Sequence, residues 1–278
     1  MADDDHASEP VAVYGVRERT QVADRPAEVI EEVERNGYSV IATGLAAAVL
    51  ADMRAALDRV LAEQTALAGG AADHATLGEA DTARALAEAD AVFLAPLRDP
   101  VMTAVAEHFL GPAFILMQQN GIVLQPATAA HHQAAYHRDL PYNHVVTSRP
   151  LALSALLCLD AFTAENGGTW LLPGSHLHER FPSDRFVRRW ETQIVAPAGA
   201  MVVFNAMTYH RSGANRSSAA RRAVNTVFAV PLMAPQIVMT PPPGTEPALL
   251  ARFSRDYLPA GSVADWQARR KARRDRPR

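Results

Sequence analysis

The chain has a single cysteine, Cys158, so no internal disulfide can staple it and a disulfide-dense secreted scaffold is excluded. No apolar run approaches the roughly 20 residues of a membrane span; Leu151 to Leu159, and Ile194 to Phe204 with its Pro-Ala-Gly interruption, stop well short. Neither sign of charge is in large excess. The net charge of −3 and the pI of about 6.4 leave no overall field for nucleic acid or an anionic membrane. No apolar stretch follows a basic start, because the chain opens with Met1-Ala2-Asp3-Asp4-Asp5, and a soluble, cytoplasmic protein is the expectation. Internal repeats and an alternating βαβ rhythm are missing as well, which removes solenoids and doubly wound folds.

What is present suffices for a large core: 278 residues, 49% hydrophobic, read as one domain from 25 to 258. Residues 1 to 24 are polar and aperiodic and read as a mobile tail, and 259 to 278 form a basic tail containing Arg269-Arg270-Lys271-Ala272-Arg273-Arg274. Pro26, Val29, Ile30 and Val33 keep helical spacing up to Asn36-Gly37, where glycine supplies a left-handed cap. Tyr38 to Ile41 reads as a strand, and Leu45 to about Leu67 as a long amphipathic helix. Ala68 to Ala80 reads as a loop, while Asp81 to Phe93 and Asp99 to Leu110 read as two helices joined across Pro96. Beyond Gly111-Pro112 the sequence is strand-like at Phe114 to Leu124, Leu151 to Leu159, Thr169 to Leu172, Gln193 to Val195, Ala200 to Phe204 and Ala223 to Val230. A short helix is expected from Pro247 to Arg255. Helices first and short strands afterwards predict a mainly β fold with added α, an antiparallel sandwich or jelly roll buttressed by the N-terminal helices.

The stretch that carries chemistry is Tyr136-His137-Arg138-Asp139. On an extended strand side chains alternate faces, so His137 and Asp139 point one way and Arg138 the other. His210, which follows the strand-like Met201 to Phe204, can bring a second imidazole to them. Two histidines and one carboxylate on one face of a cavity are the ligand set of non-haem Fe(II) oxygenases, which leave coordination positions open. Such a site needs neutral imidazoles and an ionised carboxylate, the states that donate lone pairs. His-x-Asp alone is a weak signal, since a chain with ten histidines can contain one by chance.

Longer motifs sharpen the reading. Asn166-Gly167-Gly168-Thr169-Trp170-Leu171-Leu172-Pro173-Gly174-Ser175-His176, then His210-Arg211-Ser212-Gly213-Ala214-Asn215-Arg216-Ser217 with Arg221-Arg222, and the opening Arg35-Asn36-Gly37-Tyr38-Ser39-Val40-Ile41, occur in that family's order. Together they resemble the phytanoyl-CoA dioxygenase family of Fe(II)- and 2-oxoglutarate-dependent oxygenases over about residues 28 to 232. The resemblance implies a double-stranded β-helix, a cupin-like jelly roll whose mouth holds iron. It implies His137, Asp139 and His210 as iron ligands, with no catalytic side chain beyond them, and Arg221 as the partner of the 2-oxoglutarate carboxylate. A planar, permanently charged guanidinium suits that task. Spacing alone does not choose between Arg221 and Arg222, which point to opposite faces of one strand.

The resemblance also makes Gln119 a polar contact to 2-oxoglutarate, with a satisfied core amide as the alternative. Tyr142 and Asn143 are candidate substrate contacts. His131, His132 and His144 read first as exposed histidines and second as lining of the substrate entrance. Pro173-Gly174-Ser175-His176 is read as a structural turn, Trp170 and Phe204 as core, Cys158 as an inert buried thiol, and Leu177 to Arg189 as a solvated loop with four arginines. The implied reaction consumes Fe(II)-bound 2-oxoglutarate and O2, releases succinate and CO2, and oxidises an unactivated C–H of a small molecule, most simply by hydroxylation. Halogenating relatives replace the carboxylate by a small residue; Asp139 speaks against that outcome. A secondary-metabolite tailoring step is the expected setting. The competing readings are a non-catalytic jelly-roll binding module and a metal-dependent oxygenase that uses no 2-oxoglutarate.

Overall fold

The computed structural model describes residues 11–126, 132–140, 145–235 and 237–253. Up to Asp24 the described chain is exposed and irregular. The Asp24 carboxylate then accepts from the Ala27 N–H at 2.9 Å and opens α1 (Arg25–Asn36), which Gly37 closes at φ 85°. Strand β1 (Tyr38–Ala42) follows, then α2 (Ala47–Leu67), α3 (Ala71–Thr76), β2 (Thr82–Arg84), α4 (Leu86–Ala89), a 3-10 segment (Ala91–Arg98) and α5 (Pro100–Leu110). The remainder is mostly strand: β3 (Ile115–Leu124), β4 (Ala152–Cys158), β5 (Trp170–Leu171), β6 (Thr192–Gln193), β7 (Ala200–Asn205), β8 (His210–Arg211) and β9 (Arg221–Ala229), with α6 (Asp184–Trp190) and α7 (Pro247–Phe253). Among the described residues no helix is long and apolar enough to cross a membrane.

Two antiparallel sheets result, one of six strands ordered β1-β7-β4-β9-β3-β2 and one of three ordered β6-β5-β8. The alternation of side chains gives the large sheet two different faces. Leu153, Ala155, Leu157, Val203, Val224 and Phe228 face the helices, where Leu57, Leu86, Phe93, Met102 and Val105 cover them. Leu156, Cys158, Val202, Phe204 and Ala223 face the small sheet and meet Phe162, Leu171 and Ile194. Both faces are covered, which is why β4 and β7 are buried at every position.

Three expectations are corrected. Asp81 to Phe93 is not one helix: Thr82–Arg84 pairs with Asn120 to Ile122 at the sheet edge, between Asp81 and Ala85 in left-handed conformation. Helix propensity there yields to edge pairing, fixed by Arg84 on Glu79 at 2.6 Å and by the Gln64 amide on the Arg84 backbone. Ala68 to Ala80 contains a helical turn instead of only loop, and the arginine-rich segment after Leu177 winds into α6, capped by Ser183.

The glycine motifs are explained by contact between loops. A Cβ on Gly168 would lie 2.3 Å from the Ile194 carbonyl oxygen, and one on Gly213 would lie 2.8 Å from the Gly168 carbonyl oxygen. Backbone therefore packs on backbone where the two motifs meet, joined by a bridge between Asn166 and Asn215. Gly168→Ala is expected to cost about 1–3 kcal/mol, read as a lower urea midpoint at constant slope; an unchanged midpoint would contradict the contact.

Candidate metal centre

Two backbone hydrogen bonds assemble the site. The His137 N–H donates to the His210 carbonyl at 2.9 Å and the His210 N–H returns to the His137 carbonyl at 3.1 Å. This is an isolated bridge rather than the continuous strand expected around Asp139, whose own N–H donates to the Ala206 carbonyl at 3.0 Å. The imidazole centroids are 4.3 Å apart and His210 Nε2 lies 3.5 Å from Asp139 Oδ1. One ligand atom from each of His137, Asp139 and His210 falls within 4.8 Å of the others.

The surroundings set the chemical state of each group. Nδ1 of His137 and of His210 sits 3.0 Å from the carbonyl oxygens of Ala135 and Thr208. A carbonyl only accepts, so Nδ1 carries the proton and Nε2 keeps its lone pair for the centre. Burial alone pushes Asp139 up, but His210, His137 and the Ser154 hydroxyl favour its charged form and hold the carboxyl well below the usual carboxylate range. Burial pulls His210 down, and Asp139 more than reverses it, leaving that imidazole above its ordinary value without a metal.

Arg138 points away, as alternation requires. Its buried guanidinium donates to the carbonyls of Met207 at 2.8 Å, Ser175 at 3.2 Å and His178 at 2.5 Å, and covers the Tyr209 ring at 4.0 Å. Arg221 and Arg222 likewise separate. Arg222 pairs with Asp58 at 2.8 Å and Asp160 at 3.3 Å on the helix side. Arg221 is 2% exposed and stacks over Phe162 at 4.3 Å, and burial draws its pKa down to about 10. It lines the same cavity as the triad, its Nε has no hydrogen-bond partner, and among the described residues no carboxylate forms an ion pair with it. Ser212 Oγ and Asn225 Oδ1, also lining that cavity, are buried without partners as well.

Gln119 is a correction. Its amide is fully buried on the helix-facing side of β3, donating to the Phe93 carbonyl at 3.0 Å and to Thr226 Oγ1 at 2.9 Å, so it does not reach the cavity. The parity of the strand decides this: Asn120 pairs with Asn225 on the cavity side, and Gln119 pairs with Thr226 on the other. Tyr142, Asn143, His131 and His144 lie outside the described residues. His132 begins a short 3-10 turn. His176 has Nε2 3.1 Å from the Glu34 carbonyl, and Ser175 Oγ accepts from the Tyr209 N–H at 2.9 Å. Phe204 is core and meets the His210 ring at 4.8 Å. Trp170 is only half-buried, under the Arg211 guanidinium at 4.9 Å, because that arginine is drawn to Glu191 at 2.9 Å. Cys158 is buried and its thiol is pushed up to about 12 by burial, against the opposing pull of Arg221.

Sequence reasoning missed Ser154 and Asn225, which both donate to Asp139 Oδ2. The signal was a hydroxyl inside Ala152-Leu153-Ser154-Ala155-Leu156 and an amide inside Ala223-Val224-Asn225-Thr226-Val227, polar interruptions of otherwise buried alternation.

The model of the phytanoyl-CoA dioxygenase (PhyH) family matches residues 33–223, and the chain belongs to that family. It is therefore an oxidoreductase of the dioxygenase kind. An uncharacterized protein of Mycobacterium tuberculosis is 29% identical over 196 residues, which cover 69% of this chain and 71% of that one. The fold is similar to that of EctD from S. alaskensis, crystallised with 2-oxoglutarate and 5-hydroxyectoine: TM-score 0.63, 22% identity, 80% of this chain and 84% of that chain covered. It is also similar to SnoK, a non-heme alpha-ketoglutarate-dependent carbocyclase from nogalamycin biosynthesis: TM-score 0.56, 21% identity, 73% and 83% covered.

Arg138→Met keeps an apolar stem but strands the four carbonyls of Met207, Ser175, His178 and Glu179. The expected loss is on the order of 3 kcal/mol, measured as a lower unfolding midpoint; full retention of stability would show that these bonds contribute little.

Proposed function

We propose that the chain is an Fe(II)- and 2-oxoglutarate-dependent dioxygenase in which His137, Asp139 and His210 hold the iron and Arg221 holds the far carboxylate of 2-oxoglutarate. The observation that carries this is Arg221, a buried cation that forms no ion pair among the described residues and feels the Asp160 carboxylate only at a distance, facing the cavity that the triad lines. Leaving a charge so buried is costly unless an anion completes it. Ser212 Oγ, unpartnered in the same cavity, can donate to a bound organic acid, and Asn225 Oδ1 can accept from a water beside it.

Bound ferrous ion supplies dioxygen activation, and with 2-oxoglutarate as reductant the overall change is substrate C–H plus O2 plus 2-oxoglutarate to substrate C–OH plus succinate plus CO2. The protein's own contribution is placement. Nε2 of each histidine and one carboxylate oxygen of Asp139 converge on one point, Phe204 and Leu156 wall the cavity against water, and the Arg221 guanidinium fixes the keto acid at its far end. Asp139, an ionised carboxylate at the position halogenating relatives leave small, supports hydroxylation over halogenation.

The finer readings belong to the same proposal. The two antiparallel sheets are read as a double-stranded β-helix in one domain from 25 to 258, with tails on either side, in a cytoplasmic protein. The substrate is a small molecule, with Tyr142 and Asn143 as contacts, and likeness to a biosynthetic carbocyclase supports a secondary-metabolite tailoring step. A non-catalytic binding module has no need of a complete triad, and an oxygenase without 2-oxoglutarate has no need of Arg221.

Anaerobic addition of Fe(II) and 2-oxoglutarate is expected to give a weak visible charge-transfer band. Asp139→Ala should lose iron binding, while Arg221→Met should keep iron but require at least about tenfold more 2-oxoglutarate. No band, together with undiminished iron binding by Asp139→Ala, would refute the assignment.

A further inference from the structure

We propose that Ser154 and Asn225 are positioning residues for the metal carboxylate: they lock Asp139 Oδ2 so that Oδ1 alone faces the two imidazoles, as a one-oxygen ligand. The proposal rests on reading His137, Asp139 and His210 as iron ligands.

Strand register brings the two donors together. Ser154 on β4 stands opposite Phe204 of β7 and Val227 of β9, while Asn225 of β9 stands opposite Leu156 of β4, so the pair are diagonal neighbours on the cavity face. Their surroundings on that face are apolar: Leu156, Cys158, Val202, Phe204 and Ala223. A hydroxyl and an amide in such a wall are costly unless each finds a partner. Both use the same one. The Ser154 hydroxyl donates to Asp139 Oδ2, and Asn225 Nδ2 donates to that oxygen at 3.2 Å. The amide orientation is forced, because Oδ1 of Asn225 would repel the carboxylate; it is left buried and unpartnered instead.

Asp139 Oδ1 is the oxygen that lies 3.5 Å from His210 Nε2, on the side where the ligand atoms converge. An oxygen already accepting two hydrogen bonds has little lone-pair density left for a cation. The carboxylate would therefore offer Oδ1 to a bound ion while Oδ2 stays with Ser154 and Asn225.

The test is an anaerobic titration of the full chain with Co(II), followed by visible absorption, alongside melting of the metal-free protein. Ser154→Ala and Asn225→Ala are each expected to weaken Co(II) binding by about tenfold or more, and the double variant is expected to shift the visible bands of the bound ion. A lower melting temperature with unchanged Co(II) affinity and spectrum would assign the pair a purely structural role and overturn the inference. If the parent itself bound no Co(II), the metal reading would fall and this inference with it; parent binding with unaltered variants would refute the positioning role alone.

Discussion

Two reciprocal hydrogen bonds between the backbones of His137 and His210 are the constraint on which the centre depends. They join segments far apart in sequence, and they do so without a regular strand on one side: His137 is bridged at a single residue, and Asp139 is held by the Ala206 carbonyl. Everything around them serves to keep that short contact in register. Arg138 ties the same segment to four carbonyls on its outer side, and β8 is paired to β5 through Leu171 and His210. The triad is thus braced from behind by a cation and from the side by the small sheet.

Charge distribution follows from the same arrangement. The negative Asp139 and the positive Arg221 line the same cavity, Asp139 from the segment bridged to His210 and the buried Arg221 from β9, yet they are not bonded to each other. Asp139 is compensated by two imidazoles, a hydroxyl and an amide, whereas Arg221 has an aromatic face and, among the described residues, no ion pair, Asp160 being bonded to Arg222 instead. Electrostatically the two ends of the cavity are unequal: the carboxylate is surrounded by groups that favour its charge, and the guanidinium is buried outside any ion pair among the described residues.

Much of this was legible in the sequence, for identifiable reasons. Helix α1 could be read because Asn36-Gly37 marks its end, and β4, β7 and β9 because they are predominantly apolar and rich in strand formers between turn residues. The facing of His137, Asp139, Arg138, Arg221 and Arg222 followed from alternation. Gln119 failed by that same rule: carrying a position over from relatives ignored which face the residue occupies, and one step along β3 exchanges cavity for helix layer. Segment 81–93 failed because alanine and leucine favour helix locally, while the open edge of β3 offered the chain hydrogen bonds that propensity does not count. Ser154 and Asn225 showed only as polar interruptions in apolar strands, because their shared partner Asp139 is brought to them by tertiary contact.

Cys158 adds a last consequence. It is a buried thiol on the same wall as Arg221, pushed up to about 12 by burial, which favours the protonated form near neutral pH. Peroxide and related oxidants attack thiolates, not thiols. The one sulfhydryl of a dioxygenase-family chain is thus held in its slower-reacting form.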